Sequence, residues 1–105
     1  MSENDFHARA DATQEALLEA LESADADGAV EVDLLDGIVS ITLPDGRQWL
    51  VSKHAPSEQL WLSSPISGGL HFSFDAASKR WQLADGRGLT ALLAAELHAQ
   101  AGVTL

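Results

Sequence analysis

The chain has no cysteine, no tyrosine, three prolines, and six basic residues against 16 acidic ones. Each scarcity removes a class of protein. Without thiols there is no disulfide framework, no thiolate zinc site, no cysteine-ligated iron–sulfur cluster and no cysteine nucleophile. A formal net charge of −10 has the wrong sign for holding nucleic acid or an anionic membrane by charge. No apolar stretch approaches the ~18 residues of a membrane span. The opening Met1-Ser-Glu-Asn-Asp-Phe-His7 resembles neither a secretory leader nor an Arg-rich, acid-poor transit sequence. The expectation is a cytoplasmic protein with no nucleic-acid or membrane partner. What remains is a chain of 105 residues, 46% of them hydrophobic, too apolar for disorder and short enough for one domain over 1–105.

The negative charge is concentrated. Eleven of the 16 acids and one of the six bases, Arg9, lie in residues 1–36, while the other five acids and five bases cancel. Residues from about 3 to 24 contain no Gly or Pro, follow a Ser2-x-x-Asp5 capping pattern and predict a helix. At 100° per residue Phe6, Ala10, Thr13, Leu17, Ala20, Leu21 and Ala24 share its apolar side. His7, Asp11, Glu15, Glu19 and Glu22 share another, acidic side.

After Gly28 the period changes to two. Val30, Val32 and Leu34 alternate with Glu31 and Asp33, and Asp36-Gly37 turns the chain into Ile38–Leu43, a hairpin pattern. Segments 47–52, 59–63, 70–74 and 80–83 continue as short strands, and Leu89, Leu92, Leu93 and Leu97 mark a closing helix that Gly102 ends. The order predicts an α+β two-layer sandwich, with both helices on one face of an antiparallel sheet of about six strands. Within 59–63 the leucines share the helix-facing side. Gln59, Trp61 and Ser63 therefore point to the other face.

The acidic stripe has two readings. A polar helix face is ordinary. Against that, Asp11/Glu15, Glu15/Glu19, Glu19/Glu22 and Glu22/Asp25 are like-charge neighbours at ~0.2–0.5 kcal/mol each, and the last turn meets the negative end of the helix dipole. Together they oppose folding by ~1–3 kcal/mol. With Asp25, Asp27, Glu31 and Asp33 continuing the run, the surface suits hard cations such as Mg²⁺, Mn²⁺ or ferrous and ferric iron, held weakly and partly hydrated. A basic protein surface is the other occupant it fits. Trp61 is either covered by strand neighbours or an interface anchor. His54, His71 and His98 are scattered in sequence and read as surface or strand residues. Ser63 and Ser64 lack a base and oxyanion arrangement, and no phosphate loop, GxGxxG or HExxH occurs. No catalytic residue is assigned.

At Gln59-Leu-Trp-Leu-Ser-Ser-Pro-Ile-Ser-Gly68 the chain resembles the frataxins. The acidic first helix and strand, the Pro56 loop, and Trp81 followed by Asp85-Gly86, Leu89, Leu92-Leu93 and Glu96-Leu97 match the same family in order. Departures are Ser52, where relatives often carry Asn, His54, where they carry Gln, and Glu58, which is basic in some. The resemblance implies a small iron-binding protein of iron–sulfur cluster assembly and iron homeostasis, in its bacterial branch. Such a protein docks on the cysteine desulfurase and scaffold protein, as an iron chaperone or as a regulator of sulfur transfer. The implied iron ridge is Glu15, Glu19, Glu22, Asp25, Asp27, Glu31 and Asp33, with His7 and Asp11 as accessory ligands. Gln59, Trp61 and Ser63, with Glu19 and Glu22, are the implied partner contacts. A monomer is expected without metal, with iron-dependent oligomers allowed. Ferroxidase or storage activity is the enzymatic alternative, although the chain lacks the Glu and Glu-x-x-His ligands of a di-iron bundle. An acidic docking module without a metal role is the third reading.

Overall fold

A computed structural model describes residues 3–24 and 30–104. The predicted first helix is α1, Glu3–Ala24; Ser2, its expected cap, lies outside the described residues. Six strands follow: β1 (Glu31–Leu35), β2 (Ile38–Thr42), β3 (Gln48–His54), β4 (Gln59–Ser64), β5 (Gly68–Asp75) and β6 (Arg80–Gln82). Each pairs with its sequence neighbours, all antiparallel, in the order β1 to β6. Helix α2, Leu89–Ala101, closes the chain and ends at Gly102 in a left-handed conformation, as a glycine stop does. No described helix is long and apolar enough to cross a membrane.

One face of the sheet makes the core. Val39, Ile41, Trp49, Val51, Leu60, Leu62, Phe72 and Trp81 are buried with Phe6, Leu17 and Leu21 of α1 and Leu89, Leu93 and Leu97 of α2. Their alternation along each strand is the period-two pattern of a half-covered antiparallel sheet. On α1 the buried stripe runs Phe6, Ala10, Gln14, Leu17, Leu21, while Ala20 is exposed and Thr13 half-buried. The stripe is therefore rotated toward Gln14. That residue is 1% exposed, and its amide donates to the carbonyls of Gly37 (2.8 Å) and Val51 (2.9 Å). Such satisfaction is what burial of a polar amide requires. Thr13 instead accepts from the Trp81 indole at 2.9 Å.

The Asp36-Gly37 turn has φ of 54° and 74°, the pair of positive values that a two-residue type I′ hairpin needs. A Cβ on Gly37 would also stand 3.0 Å from Lys53 Cε. The small residue leaves room for the lysine stem.

The β4–β5 hairpin is latched to α2 by one carboxylate. Glu96 Oε1 accepts from Trp49 Nε1 (2.9 Å) and Ser64 Oγ (2.5 Å), and Oε2 accepts from Ser67 Oγ. Ser64 Oγ in turn accepts from the amides of Ile66 and Ser67. Burial pushes the Glu96 carboxyl up, but the bonds from Ser64, Ser67 and Trp49 outweigh it and hold the group below its ordinary value. A lowered carboxyl stabilises the fold above its unfolded pKa, and that contribution is lost as pH falls through the lower folded value. Glu96→Ala orphans the Trp49 N–H and is expected to cost about 1–3 kcal/mol at pH 7. Denaturant titration at descending pH checks it, the gap to wild type shrinking below the carboxylate range.

Candidate functional site

The acidic side of α1 faces solvent. Asp11, Glu15, Glu19 and Glu22 are all exposed, as the helical spacing requires. Among the described residues Glu15, Glu19, Glu22, Glu31 and Asp33 make no ion pair. Two like-charge steps, Glu15/Glu19 and Glu19/Glu22, remain uncompensated, about 0.4–1 kcal/mol together. No basic residue stands in the last turn to meet the dipole.

The first step of the stripe is compensated. Lys53 Nζ donates to Asp11 Oδ1 at 2.6 Å and lies 3.4 Å from His7 Nδ1. His7, half-buried, tilts against the Phe6 ring with centroids 5.3 Å apart. The expected repulsion between Asp11 and Glu15 is thus offset by a base 42 residues away in sequence. The spacing rule that exposed the stripe is local to one helix, so it is blind to a strand residue reaching over Gly37.

The remaining acids do not join the helical ones around one point. Glu31 and Asp33 are exposed on β1, alternating with the half-buried Val32 and Leu34, so they occupy the face of the edge strand turned away from the helices. Asp25 and Asp27 lie outside the described residues. Among the described residues no three His, Asp or Glu side chains come close enough to hold one metal ion. The arrangement offers separate, solvated carboxylates, a chemistry suited to hydrated, exchangeable cations.

The second candidate surface is the helix-free sheet face, where Trp61 lies as its parity predicts. Its ring is stacked on both sides. His54 lies at a centroid distance of 3.6 Å and 13° between planes, and His71 at 4.1 Å and 10°. The indole N–H donates to Gln59 Oε1 (2.9 Å), and Gln59 Nε2 donates to Ser73 Oγ (3.1 Å). Register brings this about: Trp61 pairs with Ser52 and with His71, and His54 with Gln59. Two histidines that looked scattered in sequence belong to one column. Ser63, the third expected contact, pairs with Leu50 and Gly69 and is exposed on the same face. Leu35, 66% exposed, and Ile38, 37% exposed, extend the row from Trp61 through Ser52 to the sheet edge. A cleft of about 660 Å³ between the helices, lined by Ala16, Leu17, Ala20, Trp81 and Leu89 among others, contains none of these residues.

The family described as the frataxin-like domain matches residues 1–103, and the "Iron-sulfur cluster assembly protein CyaY" of Thioalkalivibrio sulfidiphilus is 34% identical over 107 residues, covering 100% of this chain and 98% of its own. The chain belongs to the frataxin family. Its resemblance is to the bacterial, CyaY-named members. The frataxin from Psychromonas ingrahamii shares the fold at a TM-score of 0.88 over 100% of this chain and 96% of that one, with 20% identity. A trimeric frataxin from the yeast Saccharomyces cerevisiae, complexed with ferrous, superposes at 0.76 with 29% identity, covering 90% of this chain and 86% of that chain.

Two measurements test the electrostatics of this frataxin. Relief of the remaining repulsion on α1 by 0.5 M salt or millimolar Ca²⁺ is worth about 0.4–1 kcal/mol, a rise of a few degrees in Tm; Glu15→Gln/Glu19→Gln/Glu22→Gln should no longer respond. Lys53→Met removes a unit charge beside Asp11, worth ~1 kcal/mol at ~4 Å in water. Mn²⁺ line broadening at His7 and Asp11 is then expected at about fivefold lower metal concentration, with Glu19 and Glu22 unchanged.

Proposed function

We propose that this protein is an iron-binding component of iron–sulfur cluster assembly in the cytoplasm of a bacterial cell. It presents iron on α1 and docks through the sheet face onto the cysteine desulfurase and its scaffold protein. The observation that carries this reading is the exposed row Glu15, Glu19, Glu22, free of ion pairs among the described residues. A storage or redox enzyme encloses its metal with converging ligands, whereas an ion that is to be passed on is served by open carboxylates that never displace its whole hydration shell. Iron is cargo here, held weakly as Fe²⁺ or Fe³⁺. The names of the bacterial relatives and the ferrous complex of the yeast protein point the same way.

Docking through the sheet face rests on Trp61 and its neighbours. Gln59 fixes the indole edge and Ser63 borders it, while Leu35 and Ile38 supply apolar area. A large amphipathic side chain at the centre of a sheet face, with polar uncharged neighbours, is the usual anchor of an interface. Glu19 and Glu22 would meet basic groups of the same partner.

Anaerobic Fe²⁺ titration followed by NMR tests the metal half. Broadening should run along Glu15 to Glu22 and be lost in Glu15→Gln/Glu19→Gln/Glu22→Gln, and an unresponsive wild type would leave an acidic docking module without a metal role. Oxygen consumption on adding Fe²⁺ tests for ferroxidase chemistry in the same samples. Capture by purified cysteine desulfurase and scaffold tests the other half, with at least tenfold weaker binding expected for Trp61→Ala.

A further inference from the structure

The cleft of about 660 Å³ between the helices belongs to neither of the two surfaces above. It stays open because the residues lining it from each helix are short, Ala16 and Ala20 on α1 and Ala91 and Ala94 on α2. Ala16, Ala20 and Ala91 are exposed. Its floor is made of buried Leu17, Trp81 and Leu89, and the Trp81 indole N–H is already engaged by Thr13 Oγ1 at 2.9 Å. Among the described residues no buried side-chain polar atom lacks a partner. The cleft therefore offers alkyl and aromatic carbon, and its volume falls within the ~300–1,000 Å³ of small-molecule sites.

The charged residues that line it are both basic, Lys79 in the turn after β5 and Arg80 at the start of β6. Both are exposed, and neither makes an ion pair among the described residues. Arg80 Nη1 lies 3.8 Å from where a Cβ on Gly88 would stand, which brings the guanidinium to the start of α2, a helix with no acid in its first turn. Arg9 adds a third base over the Phe74 ring, which meets Trp81 edge-on. The neighbouring carboxylates are occupied or turned away. Asp75, opposite Arg80 in the β5–β6 pair, accepts from the amide and hydroxyl of Ser78, and Asp85 is paired with Arg87 at 2.8 Å. Glu15 and Glu19 each precede a lining alanine by one residue and so point ~100° around the helix from it. On a molecule of net charge −10, the one large apolar cleft described here carries positive charge at its margin.

We propose that this cleft binds an alkyl carboxylate, a free fatty acid of medium chain length, with its chain over Trp81 between the helices and its carboxylate on Lys79 and Arg80. Body and head are recognised by different chemistry. The chain leaves water for alanine, leucine and indole carbon, and the guanidinium offers a carboxylate a fork of parallel N–H donors that an alcohol cannot match.

NMR titration of the full chain with decanoate, decanol and decyltrimethylammonium tests this. Saturable shifts are expected at the Trp81 indole N–H and at the amides of Ala16, Ala20, Ala91 and Ala94, with the Trp49 and Trp61 indoles unmoved. Decanoate should bind there about tenfold more tightly than decanol, the effect of one charge-assisted pair, and decyltrimethylammonium more weakly than either. Lys79→Ala/Arg80→Ala should bring decanoate to the level of decanol. Ala20→Leu/Ala91→Leu fills the cleft from two exposed positions and should abolish the cleft shifts, an unchanged Trp49 indole resonance showing that the core is intact. Absence of a saturable Trp81 shift in wild type overturns the proposal, as does decanoate binding that survives in Ala20→Leu/Ala91→Leu. Decanol or decyltrimethylammonium binding as tightly as decanoate overturns the choice of an anion, and so does a preference for decanoate that persists in Lys79→Ala/Arg80→Ala.

Discussion

Two helices cover one face of a six-stranded sheet, and the rest of the molecule is arranged around the face they leave bare. Every strand must alternate, because a residue moved by one position exchanges core for solvent. β3 obeys by sending Trp49 and Val51 inward and Leu50, Ser52 and His54 outward. The core is complete without the outer face, so residues there are free of packing constraints. The one-sided cover explains why an indole can sit at the centre of the sheet without being part of the core, and why its company is polar.

The same constraint fixes where the acidic side of α1 can be. With Phe6, Ala10, Gln14, Leu17 and Leu21 committed to the sheet, Asp11, Glu15, Glu19 and Glu22 are turned outward and exposed. Gln14 pins the helix at its midpoint through two backbone carbonyls, and Lys53 pins the N-terminal half through Asp11. Of the two, Gln14 is the structural tie: it is buried, and its loss would remove two hydrogen bonds made away from water. The ion pair is partly solvent-exposed, where such pairs contribute ~0.2–1 kcal/mol. Lys53 therefore matters more for the charge it brings to one end of the acidic side than for the fold.

Much of this was legible in the residues. Strand parity follows from period two, so the outward placement of Trp61 needed no coordinates. The helix bounds followed from an uninterrupted run and from Gly102, and the positive φ values at Asp36 and Gly37 are what an Asp-Gly hairpin turn asks for. Three features were not legible, each for a physical reason. Lys53 to Asp11 spans 42 residues and depends on the absence of a side chain at Gly37. The stack of His54 on Trp61 depends on β3 running two residues past Ser52 and on a three-residue helical turn, closed by Glu58 at φ 52°, that sets His54 opposite Gln59. The latch at Glu96 gathers hydroxyls from β4 and from the turn after it, which no helix or strand period encodes.

β3 carries the last link between the surfaces. Lys53 and His54 are consecutive, so their side chains leave the strand on opposite sides, one to the acidic helix and one to the aromatic column. The two surfaces share a strand without sharing space. Glu15, Glu19 and Glu22 are separated from Trp61 by the sheet and by the body of α1, and a helix with its side chains is ~10 Å across, more than the ~8 Å over which exposed charges interact at physiological salt. Contacts made at Trp61 alone therefore leave the charge on Glu15, Glu19 and Glu22 unaltered, whereas basic groups that reach Glu19 and Glu22 compete with a cation there. The sheet thus keeps the two surfaces apart, with Lys53 reaching the acidic helix and His54 the aromatic column from neighbouring positions of one strand.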